Sequence, residues 1–341
     1  MINDSARFVY AENALQLSQK INYKKGSVKA LVSLGACLNN LGNFDKALKY
    51  LNEALTIYLE SPFDKKTLAD IYNTIGGVYF YKGDYTFALS YYLKGLVLYE
   101  ECKKFKQAAS TEYNVSLIYF QNKEYNKAIE YTNKAKKLFD QLKDTVQIAA
   151  TISQLGNIYF EQTKYDLALK YYKESLEFTK KLKDKSYSLT NLSGIGNVLF
   201  ETKKYQEALN YREKALEIAR EIDAPQNIVA CLINIGNSYH AMGKINESVI
   251  FFKDAVDLSK KTGSKRFTTD AYFMLSEIFE KENNFKEALK YSRLYIELND
   301  SIFNEENAQQ INELTAKYES EKKEKEITAL KAKAELEQTI T

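Results

Sequence analysis

The chain has 341 residues, 45% of them hydrophobic and 27% charged, the balance of a folded, water-exposed protein rather than a disordered one. A formal net charge of +3 gives no long-range field to gather a nucleic acid, so no nucleic-acid partner is expected. Cys37, Cys102 and Cys231 are too scattered for a disulfide framework or a metal site, no apolar run is long enough to span a membrane, and the opening MINDSARFVY lacks the apolar core of a signal peptide.

The first predicted element is a helix over 4–20, DSARFVYAENALQLSQK. It places Tyr10 forty residues before Tyr50 and Ala14 forty before Ala54. Residues 1–26 therefore read as the second helix of a partial repeat, acting as a cap without its first-helix partner. An array that opens on half a unit exposes an apolar face, so the chain is expected to be a piece of a longer one.

From 27 to 298 a unit of about forty residues recurs seven times. Gly35, Gly76, Gly156, Gly196 and Gly236 share one phase with Ser116 and Ser276. Small residues follow at Ala47, Ala88, Ala128, Ala168, Ala208, Ser248 and Ala288, and rings at Tyr50, Tyr91, Tyr131, Tyr171, Tyr211, Phe251 and Tyr291. Apolar residues at helical spacing, such as Ile152, Leu155, Ile158 and Tyr159, define a first helix. A short break follows (Gly42-Asn43, Gly83-Asp84, Lys203-Lys204), and then a second helix such as that carrying Tyr165, Ala168, Leu169, Tyr172 and Leu176. Glycine inside a helix costs about 0.5–1 kcal/mol against alanine, so five in one phase imply an offsetting close approach of paired helices, with the rings filling the gaps. One hairpin cannot bury its apolar face alone, whereas stacked hairpins can. The fold class expected is all-α, an α-solenoid.

From 299 to 341 the period stops. Ile311, Leu314 and Tyr318, then Ile327 and Leu330, fall at three- and four-residue steps on either side of the polar ESEKKEKE. A long charged helix is expected, forming a homodimer by coiled-coil pairing and leading to an absent membrane or output segment. The alternative is a solvated single helix held by charge pairs.

Catalysis finds no footing. His240 lies nine residues after Cys231, which puts the two on opposite faces of one helix about 13 Å apart along its axis. Gly194-Ile195-Gly196 lacks the third glycine and the preceding strand of a nucleotide loop. No catalytic residue, cofactor or metal is expected.

Leu155-Gly156-(x2)-Tyr159-(x5)-Tyr165-(x2)-Ala168-(x2)-Tyr171-Tyr172 resembles the tetratricopeptide repeat, and the likeness runs over roughly 27–298. The departures are the missing aromatic early in the first helix and a unit longer than the usual 34 or so residues. The resemblance implies a right-handed solenoid whose first helices line a concave groove for a peptide or protein. It places in that groove the residues one, four and five after the phased glycine and three before it. These are Asn157, Asn197 and Asn237; Phe80, Phe120, Phe160, Phe200 and His240; Tyr81, Gln121, Glu161 and Glu201; and Asn73 and Tyr113. An asparagine row offers donor and acceptor to an extended backbone, and the aromatic row suits apolar side chains. The alternative for each phenylalanine is partial burial between neighbouring first helices. The lysines that clamp a terminal carboxylate in some relatives are replaced by Val32, Asn73, Tyr113, Ser153 and Ser193.

The tail NEENAQQINELTAKYESEKKEKEI resembles the coil that follows such repeats in bacterial membrane sensor histidine kinases and LuxR-type regulators. It implies the periplasmic part of an inner-membrane protein. The function expected is thus a non-catalytic peptide- or protein-binding sensor region of a two-component signalling protein. The alternative is a free-standing cytosolic scaffold or a peptide-responsive regulator.

Overall fold

The structure, a computed structural model, describes residues 4–304, and all the regular structure in that range is α-helix. The predicted pairing residues Ile311, Leu314, Tyr318, Ile327 and Leu330 lie outside the described residues. The chain divides into two compact units, 1–202 and 203–341.

In the first unit, α1 (Asp4–Lys20) precedes the hairpins α2 (Lys24–Asn40) with α3 (Phe44–Glu60), α4 (Lys65–Lys82) with α5 (Tyr85–Glu101), α6 (Phe105–Gln121) with α7 (Tyr125–Leu142) and α8 (Thr145–Glu161) with α9 (Tyr165–Leu182); α10 (Lys185–Glu201) closes it. The second unit holds α11 (Tyr205–Glu221), the hairpin α12 (Pro225–Ala241) with α13 (Ile245–Thr262), then α14 (Lys265–Lys281) and α15 (285–304). Long helices form because only two prolines interrupt the chain, and both sit where proline is tolerated. Pro225 opens α12 at a position with no amide partner to lose, and Pro62 lies in the link between α3 and α4.

The turns follow one design. A residue in the left-handed region ends each helix, and its successor's amide reaches back to the helix's last turn, as Asn43 N–H does to Leu38 O (2.8 Å) and Glu124 N–H to Tyr119 O (2.8 Å). Glycine takes that place at Gly42 and Gly83, but lysine takes it at Lys103, Lys123, Lys143, Lys183 and Lys203. The link after α3 differs. Asp64 caps α4 through Thr67 N–H (2.8 Å) and pairs with Lys25 Nζ (2.8 Å), which holds its carboxyl down at about 2.

Packing within a hairpin refines the expectation from sequence. The phased ring does not fill the space at the phased glycine; its neighbour does. A methyl added at Gly35 meets Leu51, at Gly76 Tyr92, at Gly156 Tyr172 and at Gly236 Phe252. The phased ring stacks instead on the ring three residues after the glycine: Tyr79 on Tyr91 (5.7 Å between centroids), Tyr119 on Tyr131 (5.4 Å), Tyr159 on Tyr171 (5.3 Å) and Tyr239 on Phe251 (5.4 Å). Where the phased residue is serine the opposing position shrinks, so that Ser116 faces the phase of Thr132 and Ser276 that of Ser292.

Some successive first helices touch, α2 with α4 and α8 with α10 in the first unit and α12 with α14 in the second. No two successive second helices described here approach as closely. The first helices therefore line the inner side of the curve within each unit. At the start of the first unit, α1 packs on α2 through Ala11 and a Ser18–Ser27 hydroxyl pair (2.9 Å), leaving Val9, Tyr10 and Leu17 exposed.

Candidate functional site

On the inner face of the first unit a pocket of about 450 Å³ opens between α2 and α4. Val32 and Asn73, both three residues before a phased glycine, stand on its wall with Lys29, Lys66, Asp70 and Tyr99. Sequence reasoning placed Asn73 here but missed Lys29 and Asp70. Each lies six residues before its phased glycine, one turn further along the same helix face.

The charges of the pocket do not cancel. Lys66 pairs with Asp70, and Asp70 also accepts from the Tyr99 hydroxyl at 2.8 Å. Burial, helped by that carboxylate, pushes the Tyr99 phenol far above its usual range, so it stays a donor. Lys29 is exposed and has no ion-pair partner among the described residues, so the pocket carries one uncompensated positive charge. Asn73 Oδ1 lies 2.9 Å from Thr111 Oγ1, whose single hydroxyl proton is shared between it and Gln107 O, also at 2.9 Å.

The predicted aromatic row is half-buried. Phe80, Phe120 and Phe160 each lean on the tyrosine that opens the second helix of their own hairpin: Tyr85 (5.7 Å), Tyr125 (6.3 Å) and Tyr165 (5.8 Å). These contacts help to hold each hairpin together. Tyr81 is 66% exposed and stands edge-on to Phe80, while Gln121, Glu161 and Glu201 are exposed. Tyr113 packs against the cluster of Phe139, Ile148 and Ile152, and burial raises its phenol with Tyr187 as a second influence.

The asparagine row is only partly available. Asn157 donates to Gln154 Oε1 (3.1 Å) and accepts from the Tyr172 hydroxyl (2.7 Å), which leaves it one N–H and one lone pair for anything else. Asn197 and Phe200 are half-buried. In the second unit Asn237 and His240 are half-buried, and burial first, then Lys281, holds the His240 imidazole below its ordinary value and therefore neutral at pH 7. Sequence reasoning also missed Arg212, which is 4% exposed and donates to Asn234 O (2.6 Å) and Ser238 Oγ (2.7 Å). An arginine in the phase of Tyr92, Tyr172 and Phe252 is the signal that was there to read. Among the described residues no cluster of His, Cys, Asp or Glu is arranged to hold a metal.

Profiles of the tetratricopeptide repeat match residues 10–101, 107–181, 187–261 and 269–301. The chain belongs to the tetratricopeptide repeat family. Its α-solenoid of helical hairpins is shared with solved members of that kind. RapI in its apo form matches with a TM-score of 0.66 and 19% identity over 81% of this chain and 99% of that one. The apo form of the quorum sensor NprR from B. thuringiensis gives 0.66 and 19% over 87% and 89%. NprR in complex with its cognate peptide NprX gives 0.57 and 18% over 81% of each chain. At such identities the likeness is one of fold. No curated protein sequence matches the chain.

One expectation is corrected here. The periplasmic part of an inner-membrane protein was inferred from the tail's resemblance to the coil of membrane sensor proteins. No helix among the described residues is long and apolar enough to cross a membrane, and the solved structures matched over four-fifths of the chain include RapI and the quorum sensor NprR. Glu/Lys-rich sequence favours any solvated helix, so it carried no information about a membrane.

Proposed function

We propose that this tetratricopeptide repeat protein binds a peptide, or an extended protein segment, along the inner face of its first helices and acts as a peptide-responsive regulator without chemistry of its own. The observation that carries the reading is the pocket between α2 and α4, lined by the amide of Asn73 on α4 and the uncompensated ammonium of Lys29 on α2. An amide donor suits a peptide carbonyl, and the cation favours an acidic side chain or terminal carboxylate within the same segment. Solved structures of this fold support the reading: NprR is known in complex with its cognate peptide NprX, and a Rap protein in complex with Competence and Sporulation Factor. Asn157, Asn197 and Phe200 extend the proposed surface within the first unit, as further contacts on its first helices, while Asn237 and His240 belong to α12 of the second unit.

The test is selection of a phage-displayed random peptide library on the full chain, followed by titration of the enriched peptides. Lys29→Ala combined with Asn73→Ala is expected to weaken them at least tenfold, about the loss of one charge-assisted hydrogen bond, with the helical circular-dichroism signal unchanged. Enriched peptides that are rich in acidic residues would agree with the lysine. Equal affinity for the native chain and the double variant removes this pocket from the binding surface.

A further inference from the structure

Phe285, Leu289, Ile296 and Phe303 on α15 are between 51% and 64% exposed. At about 100° per residue they fall within about 40° of one another and form a single apolar stripe along the helix.

The internal repeat shows what such a stripe is for. In every earlier unit the residues in the phases of Phe285, Leu289 and Ile296 are buried or half-buried. On α11 the last two phases belong to Leu209 and Leu216, both buried, and α12 packs on α11. The stripe is therefore the face on which the next helix of a stack sits, and on α15 it lies open.

The sequence that follows does not carry that helix. From α5 onward each earlier second helix ends at the phase of Phe303, where Lys103, Lys143, Lys183, Asp223 and Gly263 take positive φ. The last helix runs through this position instead, with Phe303 and Asn304 both helical. Leu275 and Phe279 mark two positions that are apolar in all seven first helices. Forty residues on stand Thr315 and Glu319, so residues 305–341 lack the first-helix pattern.

Charge selects the occupant. Glu287 is engaged by Lys290 at 3.0 Å. The other exposed charges on the flank of the stripe are Lys286 and Arg293 in the first half of α15 and Glu297 and Asp300 in the second. A second α15 laid antiparallel sets each cationic half against an anionic half, whereas a parallel one sets like against like.

We propose that α15 is a self-association face, on which a second copy of this chain docks its own α15 in antiparallel register. The stripes cover each other, and Arg293 of each copy faces the acidic half of the other. One helix face buries less than the roughly 1,600 Å² of a standard interface, so the dimer is reversible and grows with concentration. It rests on residues 285–303 and not on the apolar residues of the tail.

Sedimentation velocity of the full chain over a hundredfold range of concentration tests the proposal, and a monomer passing into a dimer is expected. Leu289→Glu combined with Ile296→Glu should leave a monomer throughout, with an unchanged helical circular-dichroism signal because both side chains are exposed. Arg293→Glu alone and Asp300→Arg alone should each weaken the dimer about tenfold, since symmetry breaks two ion pairs at once. Mixed in equal amounts, these two variants should associate as tightly as the native chain, because every facing pair is again opposite in charge. A native chain that stays monomeric, or a dimer that survives the double glutamate variant, overturns the proposal. If the double glutamate variant does not fold, the mixing experiment decides: restored association supports the face, and a mixture no tighter than its parts overturns it.

Discussion

The hydroxyl of Tyr172 donates to Oδ1 of Asn157 across 2.7 Å, and to do so its ring passes between two glycines. A Cβ on Gly156, in the same hairpin, would stand 2.7 Å from that ring, and one on Gly194, in the next first helix, 2.6 Å from it. The ring is thus a core element, 3% exposed, while its hydroxyl orients an asparagine of the proposed binding surface. Packing between repeats and the polarity of the trough are joined through one side chain.

Tyr172→Phe separates the two roles. The ring stays and the hydrogen bond goes, so the urea midpoint should fall by an amount equivalent to about 0.5–1.5 kcal/mol. Asn157 Oδ1 then becomes free to accept from a ligand, and peptides selected on the native chain should bind as well or better. A loss of binding comparable to that of the Lys29/Asn73 double variant would mean that the tyrosine itself meets the peptide.

Two glycines on first helices should respond with opposite signs. Gly156→Ala must displace the Tyr172 ring, and overpacking of this kind costs about 1–3 kcal/mol, more than the gain in helix propensity. Gly77→Ala meets only the Tyr92 hydroxyl at 3.5 Å, an ordinary contact, so the propensity term decides and the protein should gain about 0.5–1 kcal/mol. Thermal or urea midpoints of the two variants check both, and equal signs would show that the close approach at Gly156 relaxes without cost.

How much of this was legible in the chain follows from what periodicity can encode. The phased glycines, the paired helices and the turns at Gly42 and Gly83 are statements about spacing, and the structure has them where the spacing put them. The partner of each glycine was assigned one residue too early. Tyr171 and Tyr172 are both aromatic, and only their angle of about 100° around the helix separates the stacking ring from the one that enters the glycine gap. The internal bonds of Asn157 were invisible because one of them comes from another helix, fifteen residues away. Lys29 and Asp70 escaped because the groove positions were counted from a borrowed pattern that stops three residues before the glycine. The compartment was misjudged for a different reason, since it rested on a resemblance carried by the Glu/Lys-rich tail, whose sequence suits many solvated helices.

The lysines that end helices carry a prediction of their own. Lys143 sits at φ 54°, in a region that costs a side chain with a Cβ about 1–2 kcal/mol and glycine almost nothing. Glycine also gives more freedom to the unfolded chain, which returns part of the gain. Lys143→Gly should therefore stabilise the protein by up to about 1 kcal/mol. The same change at Lys137, in the interior of α7, should destabilise by about as much. Urea midpoints for the pair test the turn geometry, because a helix that simply continued through Lys143 would make both changes unfavourable.

Glu112 on α6 makes the first unit sensitive to pH. It occupies the phase that Leu31, Tyr72, Ile152 and Leu192 hold elsewhere, is 6% exposed, and its Oε2 has no hydrogen-bond partner. Lys134 on α7 would be its natural counter-ion but is paired with Glu130 at 2.7 Å. Burial first, and the Glu100 carboxylate on α5 second, push the Glu112 carboxyl up from 4.5 to about 7, against a weaker pull from Lys134. The folded form thus keeps its proton to higher pH than the unfolded chain does. The stabilisation is complete below about pH 4.5 and is lost as pH rises through about 7, so this residue lowers stability at pH 8 relative to pH 5. Glu112→Gln keeps the shape without the charge and should remove that part of the slope, with a gain of about 1–3 kcal/mol at pH 8. Urea midpoints of both proteins at pH 5 and pH 8 give the answer as a difference of differences, in which every other titrating group cancels. An identical pH slope in the two proteins would mean that Glu112 has found a partner, Lys134 being the obvious one, and is already ionised in the folded chain.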